Sequence, residues 1–215
     1  MQLDEKILAE ISPRFKETDD ITEYNQLKML SAFIKNGVTE SAFAGSTGYG
    51  YDDRGREILE RVMADAMGAE DSLIRHNFVS GTHTLTVALF GLLRPGDKVL
   101  VLTGRPYDTI TGVFGIDEKT DGSLADFGVE YHEIALLPDG TPDKAAIKKE
   151  LAANAYKMAY IQRSRGYSTR PSLTIEKIRE LCDIVRETSP KSIIMVDNCY
   201  GEFTEKQEPC EVGAD

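Results

Sequence analysis

Little in this sequence suits a metal centre or a disulfide framework. Its three cysteines, Cys182, Cys199 and Cys210, form no CxxC pair, and its three histidines, His76, His83 and His132, fall in no HxxxH or HExxH spacing. A zinc site or a cross-linked scaffold therefore has no support. No apolar run approaches the roughly eighteen residues of a membrane span. The opening "MQLDEKILAEI" is acidic, with no basic segment leading into an apolar one, so no secretion signal is read and the cytoplasm is the expected compartment. Positive charge is also short. A formal net charge of −11 argues against nucleic acid or an anionic membrane as the main partner. The two best-known nucleotide signatures are missing too: no stretch matches GxxxxGK[ST], and the glycines of "GSTGYGYDDRG" make no GxGxxG between a strand and a helix.

What is present reads as an ordinary folded chain. With 41% hydrophobic and 28% charged residues over 215 positions, it has enough apolar surface for one large domain, or a domain plus an arm. The first forty residues look helical: "ITEYNQLKMLSAFIKNG" sets Leu27, Leu30 and Ile34 at helical spacing and stops at Gly37. A glycine-rich loop follows, then a second amphipathic helix with Ile58, Leu59, Val62, Met63 and Ala66 on one face.

From about residue 72 strands and helices alternate. "SLIRHNFVSG", "KVLVLTG", "GVEYHEIAL", "KMAYIQRS" and "SIIMVD" read as strands. "THTLTVALFGLL", "YDTITGVFG", "TPDKAAIKKELAAN" and "TIEKIRELCDIVRETSP" read as helices, the last with Ile175, Ile178, Leu181, Cys182 and Val185 along its apolar stripe. Short Gly, Pro and Asp turns join them. The expectation is an α/β fold, a mostly parallel sheet with helices on both faces, preceded by a helical arm. The arm is placed at residues 1–55 and the large domain at 56–215.

Such sheets bind ligands beyond the carboxyl ends of their strands. There lie "SGTHT", "GRPYDT", "QRSRGYS" and "DNCYGEF". Ser80, Gly81 and Thr82, with Thr84 close by, sit at a strand-to-helix junction where free N–H groups and the helix dipole suit a phosphate. On that segment alone, a simple helix cap explains the hydroxyls at least as well. Asp197 is harder to explain, because an acid at the end of a buried strand needs a cation. A phosphate site, an aromatic residue (Tyr107) and a buried acid together fit pyridoxal 5′-phosphate. That cofactor has a phosphate, a flat ring and a basic nitrogen that a carboxylate keeps protonated.

With "GYGYDDRGRE", "SGTHT", "RPYDT", "QRSRGYS…RPSL", "VDNCYGEF" and "EPCEVGAD", the sequence resembles the pyridoxal-phosphate-dependent fold-type I enzymes of the cystathionine/methionine gamma-lyase class. Within that class it is similar to the bacterial aluminium resistance protein group. The resemblance implies that Ser80, Gly81 and Thr82 cradle the phosphate, that Tyr107 stacks on the ring and that Asp197 binds the ring nitrogen. It further implies that Tyr49, Tyr51 and Arg54 reach the phosphate of a neighbouring subunit, making a homodimer or homotetramer with shared sites. An exposed turn is the plain alternative for those three. Arg163 and Arg165 are candidates for a substrate carboxylate or a cofactor oxygen, with surface ion pairs as the rival. Cys199 is expected to be a packed thiol, and His83 to stack or hydrogen-bond beside the cradle or serve the fold.

The implied reaction is elimination across the carbon–sulfur bond of a sulfur amino acid, giving a 2-oxo acid, ammonia and a thiol. An aminotransferase, or a catalytically inactive cofactor-binding or dimerisation module, are the rivals. In this class the lysine that anchors the cofactor lies shortly after a "GAD" segment, and here "VGAD" ends at Asp215. Lys206, in "TEKQEP", stands in no matching context. A fragment of a longer protein is expected, since a sheet cut after its central strands leaves an apolar edge.

Overall fold

The computed structural model describes residues 3–47, 49, 51, 53–117 and 120–215, and it divides into two compact units. The first takes in the described residues up to Arg75 together with Phe203–Glu208, and the second His76–Glu202 with Pro209–Asp215. The first unit thus extends past the expected boundary at residue 55 and includes the second helix. Of the loop read as "GYGYDDRG", Gly48, Gly50 and Asp52 lie outside the described residues.

In the first unit, α1 (Leu3–Lys35) stops where the Val38 N–H donates back to the Phe33 carbonyl at 3.1 Å, with Gly37 at φ +62°. That left-handed turn suits a residue without a Cβ. Asp53 caps α2 (Arg54–Met67), accepting from the Arg56 N–H at 3.1 Å and from the Ser46 hydroxyl at 2.5 Å. The two helices bury Ala32, Ile58 and Val62 between them. Buried Asn25 of α1 donates its amide to the carbonyls of Phe203 and Glu205, both at 3.0 Å, which fixes that segment to the helix. Leu27, Leu30 and Ile34, whose spacing marked the helix, are exposed. The buried side of α1 runs instead through Asn25 and Ala32.

No strand forms at residues 72–80, against the expectation from "SLIRHNFVSG". Glu60 of α2 holds the start of this segment instead. Its carboxylate accepts from the Ile74 N–H at 3.2 Å and its carbonyl from the Ser72 hydroxyl at 2.6 Å.

The second unit is a four-stranded parallel sheet in the order β2-β1-β3-β4, formed by β1 (Lys98–Val101), β2 (Glu130–Glu133), β3 (Met158–Gln162) and β4 (Ile193–Asp197). This is the expected α/β architecture. β1, β3 and β4 are rich in aliphatic residues because both of their faces are covered, whereas β2, at the sheet edge, reads EYHE and is only partly buried. On one face Leu100, Ala159, Ile161 and Ile194 pack against Ile147 and Leu151 of α5 (Lys144–Ala153) and Ile178, Leu181 and Val185 of α6 (Ile175–Thr188). On the other, Val99, Val101, Met158 and Tyr160 meet Leu89 of α3 (Gly81–Leu92) and Ile110 and Phe114 of α4 (Asp108–Phe114). The outer edge of β4 is bonded by Asp215. The Asp215 N–H donates to the Ile194 carbonyl at 3.0 Å, and its carboxylate accepts from the Ile194 N–H at 2.8 Å. Among the described residues, no helix is long and apolar enough to cross a membrane.

Ile178 is fully buried in the first turn of α6. Ile178→Ala is expected to destabilise the protein by about 2–5 kcal/mol, seen as a lower urea midpoint at unchanged slope. A loss below about 0.5 kcal/mol would mean that α6 does not cover this face.

Candidate active site

Side chains alternate along a strand. Since Ile194 faces α5 and α6, Ile193, Met195 and Asp197 face α3 and α4. Register pairs Asp197 with Gln162 and Met195 with Tyr160, so the carboxylate emerges above the Tyr160 ring at the carboxyl edge of the sheet. Asp197 is only 7% exposed. One oxygen accepts from the Cys199 N–H at 3.1 Å and the other from the Tyr160 hydroxyl at 3.5 Å. Both donors are neutral, and among the described residues no lysine, arginine or histidine pairs with it. Burial pushes its carboxyl pKa up from the usual range. The Glu202 charge adds to this, and the two hydrogen bonds oppose it. The acid in turn helps to hold the Tyr160 phenol well above its ordinary pKa, behind burial as the larger cause.

Asp197 forms part of the wall of a cavity of about 330 Å³, within the range of small-ligand sites. Gly81 and Thr82 of α3, Tyr107, Tyr167 and Cys199 line it as well. Four sequence-predicted residues, Gly81, Thr82, Tyr107 and Asp197, therefore meet in one place. The α3 terminus is a loop-to-helix junction, because the preceding strand is absent. Ser80 does not line the cavity. Its hydroxyl oxygen caps α3, accepting from the His83 N–H at 3.1 Å. The N–H groups of Gly81 and Thr82 take no partner among the described residues, which leaves two donors at the positive end of the dipole. A Cβ on Gly81 would meet nothing nearer than the Cys199 sulfur at 3.8 Å, so the glycine leaves room for approach.

Tyr107 is placed by a residue that sequence reasoning missed. Its N–H donates to the Gln162 side-chain oxygen at 2.6 Å, and the Gln162 amide donates to the Ser164 carbonyl at 3.1 Å. Buried Gln162 thus ties the loop after β1 to the loop after β3. The Tyr107 ring lies 5.5 Å from that of Tyr167, its hydroxyl donates to the Tyr167 hydroxyl at 3.4 Å, and chiefly through this bond its pKa is pushed up to about 12. The phenol stays protonated at neutral pH.

Other expected residues have different work. Arg163 is buried, donating to the Leu173 carbonyl at 3.2 Å, the Asn198 side chain at 2.7 Å and the Gly201 carbonyl at 2.8 Å. It holds the turn after β4 and does not line the cavity. Thr84 bonds back to the Ser80 carbonyl at 3.1 Å. His83 accepts from the Val79 N–H at 3.3 Å and packs edge-on against Phe78, a structural role. Cys199 is exposed at the cavity and not packed, and burial, then the Asp197 and Glu202 charges, push its thiol pKa up. Tyr49, Tyr51 and Arg54 are exposed residues of the first unit, and Arg165 is exposed on the loop after β3. Lys206 places its amine 5.5 Å from the centre of the Tyr24 ring, also in the first unit. Among the described residues no lysine lines the cavity.

Comparison with known proteins gives a consistent picture. The sequence matches the methionine gamma-lyase family over residues 1–215. The uncharacterized protein YnbB of Bacillus subtilis is 44% identical over 98% of this chain and 50% of its own. A candidate cystathionine beta-lyase involved in aluminum resistance from Listeria innocua is 51% identical with a TM-score of 0.94, over 98% of this chain and 52% of that one. A carbon-sulfur lyase involved in aluminum resistance from Clostridium novyi is 44% identical with a TM-score of 0.94, over 98% and 50%. The chain spans about half the length of these relatives.

Because the Asp197 pKa is raised in the folded state, its charge opposes folding above the ordinary carboxylate range, and the opposition vanishes once the group is protonated. Asp197→Asn is therefore expected to raise the melting temperature of the cofactor-free protein near pH 8 and to leave it unchanged near pH 4. A difference independent of pH between these limits would mean that Asp197 is not a strained, unpaired acid.

Proposed function

The chain belongs to the methionine gamma-lyase family, and we propose that it forms the cofactor-binding half of a pyridoxal 5′-phosphate-dependent carbon–sulfur lyase. In this reading a cytoplasmic protein of the relatives' full length acts on a sulfur amino acid, in the manner of a cystathionine beta-lyase or methionine gamma-lyase. Its products are a 2-oxo acid, ammonia and a thiol. The observation that carries the proposal is the buried Asp197 carboxylate, which faces a ligand-sized cavity with two neutral donors and, among the described residues, no cation.

The residues present fit the cofactor. Asp197 would hold the proton on the ring nitrogen, and that cation would bring its own pKa back down. The Cys199 N–H and Tyr160 hydroxyl fix the direction of the carboxylate. The free N–H groups of Gly81 and Thr82 would receive the phosphate, with the Thr82 hydroxyl, now 2.9 Å from that of Thr109, beside them. Ser80 would act through the cap that sets the helix end. Tyr107, braced by Gln162 and Tyr167, would cover one face of the ring and keep water from it. When bound, the cofactor supplies an electron-accepting ring that stabilises a substrate carbanion.

The anchoring lysine, which also serves as general base, would come from sequence outside residues 1–215. Tyr49 and Tyr51, 87% and 80% exposed, and Arg54 are free to reach the phosphate of a second subunit, making a homodimer or homotetramer the working unit. Among the described residues the cavity wall holds no lysine, which favours a second reading for residues 1–215 taken alone: reversible cofactor binding without turnover.

The full-length protein is expected to gain a visible absorption band with pyridoxal phosphate and to release ammonia and thiol in equal amounts. Asp197→Ala should lower kcat by about a hundredfold or more. Amino-group transfer without ammonia would point to an aminotransferase, and full activity in the variant would overturn the assignment. Mixing inactive Asp197→Ala and Arg54→Ala subunits should restore about a quarter of the parent activity if sites are shared between two chains. No recovery on subunit exchange would mean that each chain supplies its own phosphate contacts.

A further inference from the structure

Two tyrosines on the wall of the Asp197 cavity are largely exposed, and they differ in what holds them. Tyr167 sets its ring 5.5 Å from that of Tyr107 and accepts from the Tyr107 hydroxyl at 3.4 Å. Tyr200 has no such companion. Its side chain is 88% exposed, and among the described residues no ring packs on it and its hydroxyl makes no hydrogen bond. A side chain left this open adds little to the stability of the fold.

Its backbone is nonetheless strained. The Gly201 N–H donates to the Asn198 carbonyl at 2.7 Å, closing a four-residue turn with Tyr200 in the third place at φ +68°. A positive φ in that place is ordinarily met by glycine or asparagine, because a Cβ there crowds the backbone carbonyl. The turn is not free to relax. Arg163 grips both of its ends, through the Asn198 side chain at 2.7 Å and the Gly201 carbonyl at 2.8 Å. The strain delivers Tyr200 to the same cavity as Asp197 and Cys199. Its phenol is also felt by Tyr107: after the Tyr167 hydrogen bond, burial and the Tyr167 and Asp108 charges, Tyr200 adds to the rise of the Tyr107 pKa. A strained residue with no packing role persists where its side chain serves something beyond the fold.

We propose that Tyr200 is a ligand-contacting residue of this cavity, its ring forming a wall against the bound cofactor. The Arg163-bound turn presents a flat apolar surface that the ligand covers. A tyrosine ring has few torsions to freeze, and the fixed turn removes most of the remaining freedom before the ligand arrives. The ring supplies the contact and the hydroxyl is dispensable. This rests on the cofactor reading above.

The strain and the contact are separable, because glycine suits the turn and lacks the ring. Full-length protein stripped of cofactor is melted as such, then titrated with pyridoxal phosphate and followed by its absorption band. Tyr200→Gly is expected to raise the melting temperature of the stripped protein by about 2 °C. The same variant should bind pyridoxal phosphate about tenfold more weakly. Tyr200→Phe keeps both ring and strain, and should match the parent affinity to within about twofold. A glycine variant that binds as tightly as the parent overturns the proposal. So does one with a lower melting temperature, which would make the ring a support of the fold. An equal loss in both variants would move the contact to the hydroxyl, and altered sedimentation at unchanged affinity would assign the ring to a second subunit; either result overturns it. Ring-dependent affinity in a protein without lyase turnover retains the contact and removes the lyase reading, whereas turnover with Tyr200-independent binding does the reverse.

Discussion

A carboxylate held in a nearly dry place with only neutral hydrogen-bond donors sets the terms for the rest of this structure. Alternation along β4 turns Asp197 towards the α3 and α4 layer, and the fully buried Tyr160 closes the space beneath it. Solvent stabilises it little, and among the described residues no opposite charge pairs with it. Such an arrangement persists only when the surrounding structure over-determines it. The surroundings here are the sheet edge, the free end of α3 and two ring-bearing loops, all converging on one cavity.

The turn after β4 shows how the position is enforced. Arg163 reaches across from the end of β3 and binds the Asn198 side chain and the Gly201 carbonyl. A Cβ at position 201 would fall within 2.4–2.6 Å of that guanidinium arm, so only glycine allows the approach. Between them Tyr200 is held at φ +68°, a left-handed conformation that side chains other than glycine rarely adopt. Backbone strain, a buried cation and a required glycine thus frame the four residues that follow Asp197. The charge that looked available for a ligand is used to build the frame.

Much of this was legible before any coordinates. The helical and strand periods gave α2 to α6 and β1 to β4, and the acid at the end of an apolar strand marked the cavity. What failed had identifiable physical causes. The run at 72–80 carries strand-like composition, yet a glutamate on α2 binds its Ser72 hydroxyl and Ile74 N–H, an interaction that no pattern in the run itself reveals. Leu27, Leu30 and Ile34 have helical spacing, but the buried stripe of α1 passes through an asparagine that hydrogen-bonds distant carbonyls. Gln162 was overlooked because its importance comes from burial, and a polar residue in a loop-flanking position carries no sign of it. Gln162 was reachable by counting, since it sits two places after Tyr160 on the strand that pairs with β4.

The two-residue period of β4 has one more consequence. Adding or removing a single residue within 193–196 would rotate the acid by half a turn, into the aliphatic layer formed by Ile178, Leu181 and Val185. Substitutions within this strand can be absorbed by repacking, but a change in its length cannot, so tolerance to indels should fall abruptly at Ile193 and recover only beyond the Arg163-bound turn.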